Sequence, residues 1–157
     1  MRITERAQRI EPFYVMEVAK AARSLGDTLS KEEQAMLYLN VGEPDFTAPP
    51  LVQAAAKAAI DAGKTQYTQA SGIIELRERI SQWYSTRFGV NVPANRIVLT
   101  AGASAALQLA CLALIETGDE ILMPDPSYPC NRQFVSAAEG TPVLIPCTAA
   151  ERYQLSS

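Results

Sequence analysis

Apolar residues recur at helical spacing most clearly at Ile73, Leu76, Ile80, Trp83, Tyr84 and Phe88, separated by three, four and one positions. That spacing gathers them on one face and predicts a helix over Gly72–Phe88, with Ser71 as N-cap and Gly89 as its stop. A second amphipathic stretch, Glu11–Arg23, ends near Gly26, and an alanine-rich helix over Leu51–Ala62 is closed by Gly63. The stretch from about Ala103 to Glu116 is apolar on nearly every side, which predicts a buried helix. A further helix is expected over Asn131–Glu139. Short apolar runs at Met36–Val41, Arg96–Thr100, Glu120–Met123 and Pro142–Ile145 predict strands, while Gly42-Glu43-Pro44-Asp45 and Pro49-Pro50 mark a loop. Strand, helix, strand, helix, strand over the second half of the chain argues for a parallel α/β sheet.

Composition narrows the function classes. The 157 residues are 48% apolar, sufficient for a core, and the net charge of −3 gives no broad footprint for nucleic acid or anionic membrane. No stretch approaches the ~20 apolar residues of a membrane span. Histidine is absent, which removes the commonest general base and the commonest metal ligand, and no metal site is expected. Cys111, Cys130 and Cys147 are too widely spaced for a metal knuckle or a redox pair, and an odd number fits a reducing compartment. The opening residues run into mixed charge rather than an apolar core, unlike a signal peptide, so a cytoplasmic location is expected.

Four local features carry candidate chemistry. At Leu99-Thr100-Ala101-Gly102-Ala103-Ser104 a strand feeds a small-residue turn and a helix start. Free amides and the helix dipole make such a junction attractive to a phosphate, and the Ser104 hydroxyl can add a bond. A tight turn without ligand produces the same residues, and no dinucleotide or P-loop pattern is present. Pro124-Asp125-Pro126-Ser127-Tyr128-Pro129 follows the end of the next strand, where open α/β sheets place ligands, and Tyr128 could stack on a flat cofactor or simply cover the sheet end. Gly42, in Asn40-Val41-Gly42-Glu43-Pro44-Asp45-Phe46, can expose its N–H to a carboxylate, or the segment is a plain loop. Tyr67, just before the Gly72–Phe88 helix, could reach an anion or bond within its own loop.

In their order and spacing, the runs GEPDF, AAAKAAIDAGKTQYTQASGIIELRERI, RIVLTAGASAALQLACLAL and GDEILMPDPSYP closely resemble the class I/II aminotransferases of the fold-type I pyridoxal-phosphate family, over about residues 10–147. The resemblance implies an α/β fold: the N-terminal portion of the aminotransferase large domain, a parallel-type sheet with flanking helices, preceded by an N-terminal helical arm. Residues 1–45 would form the arm and part of the small domain, and residues 46–157 an incomplete large domain. It also implies pyridoxal 5'-phosphate as cofactor, amino acid and 2-oxo acid substrates, and a homodimer. By position, Gly102, Ala103 and Ser104 would hold the cofactor phosphate and Tyr128 would stack on its ring. Tyr67 would reach the phosphate of the neighbouring subunit, Gly42 would face the substrate carboxylate, and Phe13 or Tyr14 would line the substrate entrance.

The family also requires a Schiff-base lysine, an acid beside the pyridine nitrogen and an arginine for the carboxylate. Lys20, Lys31, Lys57 and Lys64 do not lie in the lysine motif, and Asp125 belongs to the Tyr128 loop rather than the family's acidic position. No catalytic residue is assigned, and the chain alone is expected to be inactive, as one piece of a longer protein. An elimination enzyme of the same fold, such as a C–S (β-)lyase, shares all four features, and a non-catalytic truncated paralogue is a further alternative.

Overall fold

The computed structural model describes residues 2–28 and 36–155. These fall into two compact units, one of residues 1–42 with 107–157 and one of residues 43–106.

In the first unit, helix α1 (Glu5–Arg9) begins where the Thr4 hydroxyl accepts the Ala7 N–H at 3.3 Å. Helix α2 (Tyr14–Gly26) follows. Its first turn is tied to residue 40, whose side-chain Nδ2 donates to Val15 O at 3.0 Å. Strand β1 (Glu120–Asp125), helix α6 (Cys130–Ala137) and strand β2 (Thr141–Pro146) form a strand–helix–strand unit, with β1 and β2 parallel and paired from Glu120↔Thr141 to Asp125↔Pro146. This is the expected parallel arrangement, because a crossover helix is what joins adjacent parallel strands. Val135, Ala138 and Cys147 are the buried apolar residues among those described, so the core lies under α6 and β2.

In the second unit, helix α3 (Pro50–Asp61) starts on a proline at a position where the missing N–H costs nothing. Helix α4 (Ile74–Phe88) ends at Gly89, as expected, with Trp83, Tyr84 and Phe88 in mutual ring contact. The residue preceding α4 is Ile73, without a side-chain cap, so Ser71 is not the N-cap. Ser71 instead uses its carbonyl to accept the Leu99 N–H at 3.0 Å. Helix α5 (Gly102–Leu114) begins in this unit.

Two expectations are corrected. Met36–Val41 and Arg96–Thr100 are not strands: the former is irregular and bends at Asn40 and Val41, and the latter opens in a 3-10 turn, Ala94–Arg96, passes an extended Ile97 and stays irregular. A strand exists only through a partner ladder, and among the described residues neither segment has one. Nor is α5 buried: Leu107, Leu109, Leu112 and Leu114 are all exposed, because no described element packs broadly over it. No helix among the described residues is long and apolar enough to cross a membrane.

Candidate active site

The second unit brings together two of the four features. Gly72 has φ +92 and lies so close to residue 99 that a Cβ there would sit 2.7 Å from Leu99 Cβ and 2.5 Å from Leu99 Cγ. Only glycine satisfies both the backbone angle and the contact. Together with the Ser71–Leu99 hydrogen bond, this approach fastens the Tyr67 loop to the junction that leads into α5. Thr68, Gln69 and Ala70 from the loop and Leu99 and Thr100 from the junction line one cavity of about 340 Å³.

Arg77 locks the same loop from beneath. It is 8% exposed, and its guanidinium donates to Gly72 O (3.1 Å), Ala94 O (3.2 Å) and Gln69 Oε1 (2.8 Å). A fork of donors is the one side chain that can span three separate acceptors. Tyr67, at the loop's outer end, is fully exposed. The apolar-face reading of α4 missed Arg77, although a signal existed: a charged residue four positions after Ile73 and three before Ile80 lies inside the apolar stripe.

At the junction, Gly102 has φ +83, its N–H donates to Thr100 O at 2.8 Å, and its carbonyl accepts from Thr100 Oγ1 at 2.9 Å. This turn opens α5, so the amides of Ala103 and Ser104 fall in the first turn, where a helix has no acceptor for them. Small side chains leave the approach to those amides clear. Donor set and dipole fit a phosphate group.

The first unit gathers the other two features. Gly42 and Tyr128 line a cavity of about 390 Å³ together with Phe13, Asn40 and Val41. Tyr128 is half-exposed, in the loop after β1 that carries a cis Asp125–Pro126 peptide. The Phe13 ring meets it edge-on at 6.1 Å and 67°. Of the two arm residues, Phe13 meets Tyr128, and both Phe13 and Tyr14 line a cavity with Ile10, Pro129 and Phe134. The neighbouring Cys130 thiol, with a smaller effect of burial, raises the Tyr128 phenol above its ordinary 10.0. Nothing crowds Gly42, where an added Cβ meets no atom within 4 Å. Asn131 Oδ1 is buried with no hydrogen-bond partner among the described residues. Lys20, Lys57 and Lys64 belong to none of these clusters, and Lys31 lies outside the described residues.

Residues 34–156 match the family of class I and II aminotransferases, and the chain belongs to that family. It is 39% identical over 149 residues to the valine–pyruvate aminotransferase of Mycobacterium tuberculosis, covering 92% of this chain and 36% of that protein. It is 36% identical over 144 residues to an aspartate aminotransferase of Pyrococcus horikoshii, covering 92% and 35%. Among solved structures, an aminotransferase from Mycobacterium tuberculosis superimposes with a TM-score of 0.88 at 38% identity, over 99% of this chain and 39% of that one. The aspartate aminotransferase of Rhizobium meliloti gives 0.89 at 29% identity, over 99% and 38%. The chain thus spans little more than a third of the length of these relatives, and its architecture is the N-terminal portion of theirs.

Proposed function

We propose that this chain supplies the phosphate-holding and ring-stacking portion of a pyridoxal 5'-phosphate-dependent aminotransferase acting between an amino acid and a 2-oxo acid. The observation that carries this reading is the turn at Gly102, which presents the first-turn amides of α5 beside the loop that carries Tyr67. When bound, pyridoxal phosphate provides the electron sink that makes bonds at the amino acid's α-carbon labile. Ala103 and Ser104 donate their amides, and Ser104 its hydroxyl, to the cofactor phosphate. Tyr128 lies against the ring face, held by its contacts with Phe13 and Cys130. The Gly42 N–H donates to the substrate carboxylate, and Phe13 closes the apolar side of that cavity against water.

The exposed Tyr67 reaches the phosphate bound by the neighbouring subunit in a homodimer. The Schiff-base lysine, the acid at the ring nitrogen and the carboxylate-binding arginine come from chain beyond these residues. That same chain would cover the apolar face of α5 and supply a donor to Asn131 Oδ1. Without it the 157 residues are inactive. Residues 1–45 then act as the arm and small-domain portion and residues 46–157 as part of the large domain, in a cytoplasmic enzyme that engages neither nucleic acid nor membrane.

The test is cofactor affinity in the full-length protein. Ser104→Ala should weaken pyridoxal-phosphate binding by about tenfold or more, the worth of a hydrogen bond to a charged group. Titration of the absorbance of bound cofactor measures this, and unchanged affinity would refute the phosphate assignment.

A further inference from the structure

Glu139 holds a backbone conformation that its side chain disfavours. Residues after α6 close in a double hydrogen-bonded cap: Gly140 N–H donates to Val135 O at 3.1 Å and Glu139 N–H to Ser136 O at 3.2 Å. In that motif the residue at position 139 must be left-handed, and glycine is the usual occupant. Here it is a glutamate at φ +69. Glycine is placed one residue later, where a Cβ would lie 2.5 Å from Ile115 Cγ2. The backbone alone therefore gives no reason for a glutamate, and a strained residue kept in place points to a use for its side chain.

The side chain has one. Each carboxylate oxygen faces a different arginine of α1: Oε1 forms an ion pair with Arg6 at 3.2 Å, and Oε2 accepts a hydrogen bond from Arg9 at 2.9 Å. Four residues beyond Arg9, past the rigid Pro12, the chain reaches Phe13. Between them the Glu11 N–H donates to Gln133 Oε1 of α6 at 3.3 Å. Docking α1 on α6 thus fixes where Phe13 meets Tyr128. Both ion pairs are half-exposed, so their gain is modest and the docking is readily reversed.

We infer that Glu139 is a latch: it clasps Arg6 and Arg9 to hold the N-terminal arm on α6 and so positions Phe13 over the cavity of Tyr128 and Gly42. The arm's effect on substrate rests on the aminotransferase reading, whereas the clasp itself does not.

The test uses the full-length protein and two substitutions, Glu139→Gly and Glu139→Gln. Trypsin cleaves after Arg6 and Arg9, and either substitution should speed cleavage there by about tenfold, because cleavage follows the undocked population. High salt should do the same to the unsubstituted protein. Glu139→Gly removes the backbone strain, so its melting temperature should be unchanged or higher. In turnover assays KM for the amino donor should rise severalfold while kcat changes little. Unchanged cleavage, or a marked fall in melting temperature for Glu139→Gly, overturns the latch. Faster cleavage with KM unmoved overturns the positioning of Phe13. Absence of any transamination by the unsubstituted protein would sink the enzymatic reading and leave the cleavage result to decide the clasp.

Discussion

Replacing Gly72 with alanine puts two separate demands on the second unit. The residue must hold φ +92, which costs an L-residue roughly 1–2 kcal/mol. Its new Cβ must also find room 2.7 Å from Leu99 Cβ, well inside ordinary carbon–carbon separation. Rotating the leucine moves Cγ and Cδ1 away but leaves Cβ where it is, so the backbone at residue 99 has to shift. That shift stretches the 3.0 Å hydrogen bond from Leu99 N–H to Ser71 O and disturbs the carbonyl of residue 72 that Arg77 holds. Overpacking of this kind costs about 1–3 kcal/mol, so the sum is about 2–5 kcal/mol.

The chain's single tryptophan, Trp83, lies in α4 of the same unit and reports unfolding directly. Urea titration by Trp83 fluorescence should show the midpoint fall with little change in slope. Leu99→Ala in the Gly72→Ala background removes the Cγ and Cδ1 clash and should recover part of the loss. The portion due to φ, about 1–2 kcal/mol, should remain, together with whatever the Cβ–Cβ contact costs, since alanine at position 99 keeps that atom. A loss below about 0.5 kcal/mol for Gly72→Ala, the size of a neutral surface substitution, would refute the argument that this contact binds the Tyr67 loop to the α5 junction.

Three further outcomes follow from the same structure. Arg77→Met leaves Gly72 O, Ala94 O and Gln69 Oε1 without their donor and should cost about 2–4 kcal/mol, with Arg77→Lys recovering only part because an ammonium cannot span all three; equal stability of the methionine variant would contradict the clamp. Cys130→Ala should bring the tyrosinate titration of Tyr128 back down toward 10.0. Since the folded value is the raised one, the fold's preference for the neutral phenol is fully present below the unfolded pKa and is lost as pH climbs through the folded one; an unmoved titration would remove Cys130 as the cause. The Thr148 hydroxyl and amide hold the Glu151 carboxyl below 4.5, so the turn over residues 148–153 gains from that ionisation above the unfolded pKa and loses it as pH falls through the lower folded value. Amide protection factors across this turn, corrected for intrinsic exchange, should fall in acid, and Thr148→Ala should raise the Glu151 titration seen by carboxyl NMR.

How much of this was legible in the chain depends on the range of the interaction involved. Helices α2 to α6 lie within a few residues of where the apolar spacing, Gly63 and Gly89 put them, because helix periodicity and stops are local properties. The small-residue turn into α5 and the proline-framed Tyr128 loop were visible for the same reason. Strand identity was not: Glu120–Asp125 and Thr141–Pro146 became strands because each found the other, while equally apolar Arg96–Thr100 did not, since pairing requires a neighbour that no local pattern records. The apolar character of α5 was read correctly from sequence, but its exposure depends on what surrounds it.

Contacts between remote positions likewise had to be built. The chain order cannot show that Gly72 presses on Leu99, that Phe13 meets Tyr128 across 115 residues of sequence (128 − 13) or that Glu139 faces Arg6 and Arg9. Nor does it show that the left-handed residue after α6 is Glu139 rather than the glycine beside it. The amino-acid order by itself determined the elements and the residue types able to hold a phosphate, stack on a ring or bind a carboxylate. Tertiary structure decided which of them share a cavity, because a contact's free energy belongs to two segments at once and neither carries it alone.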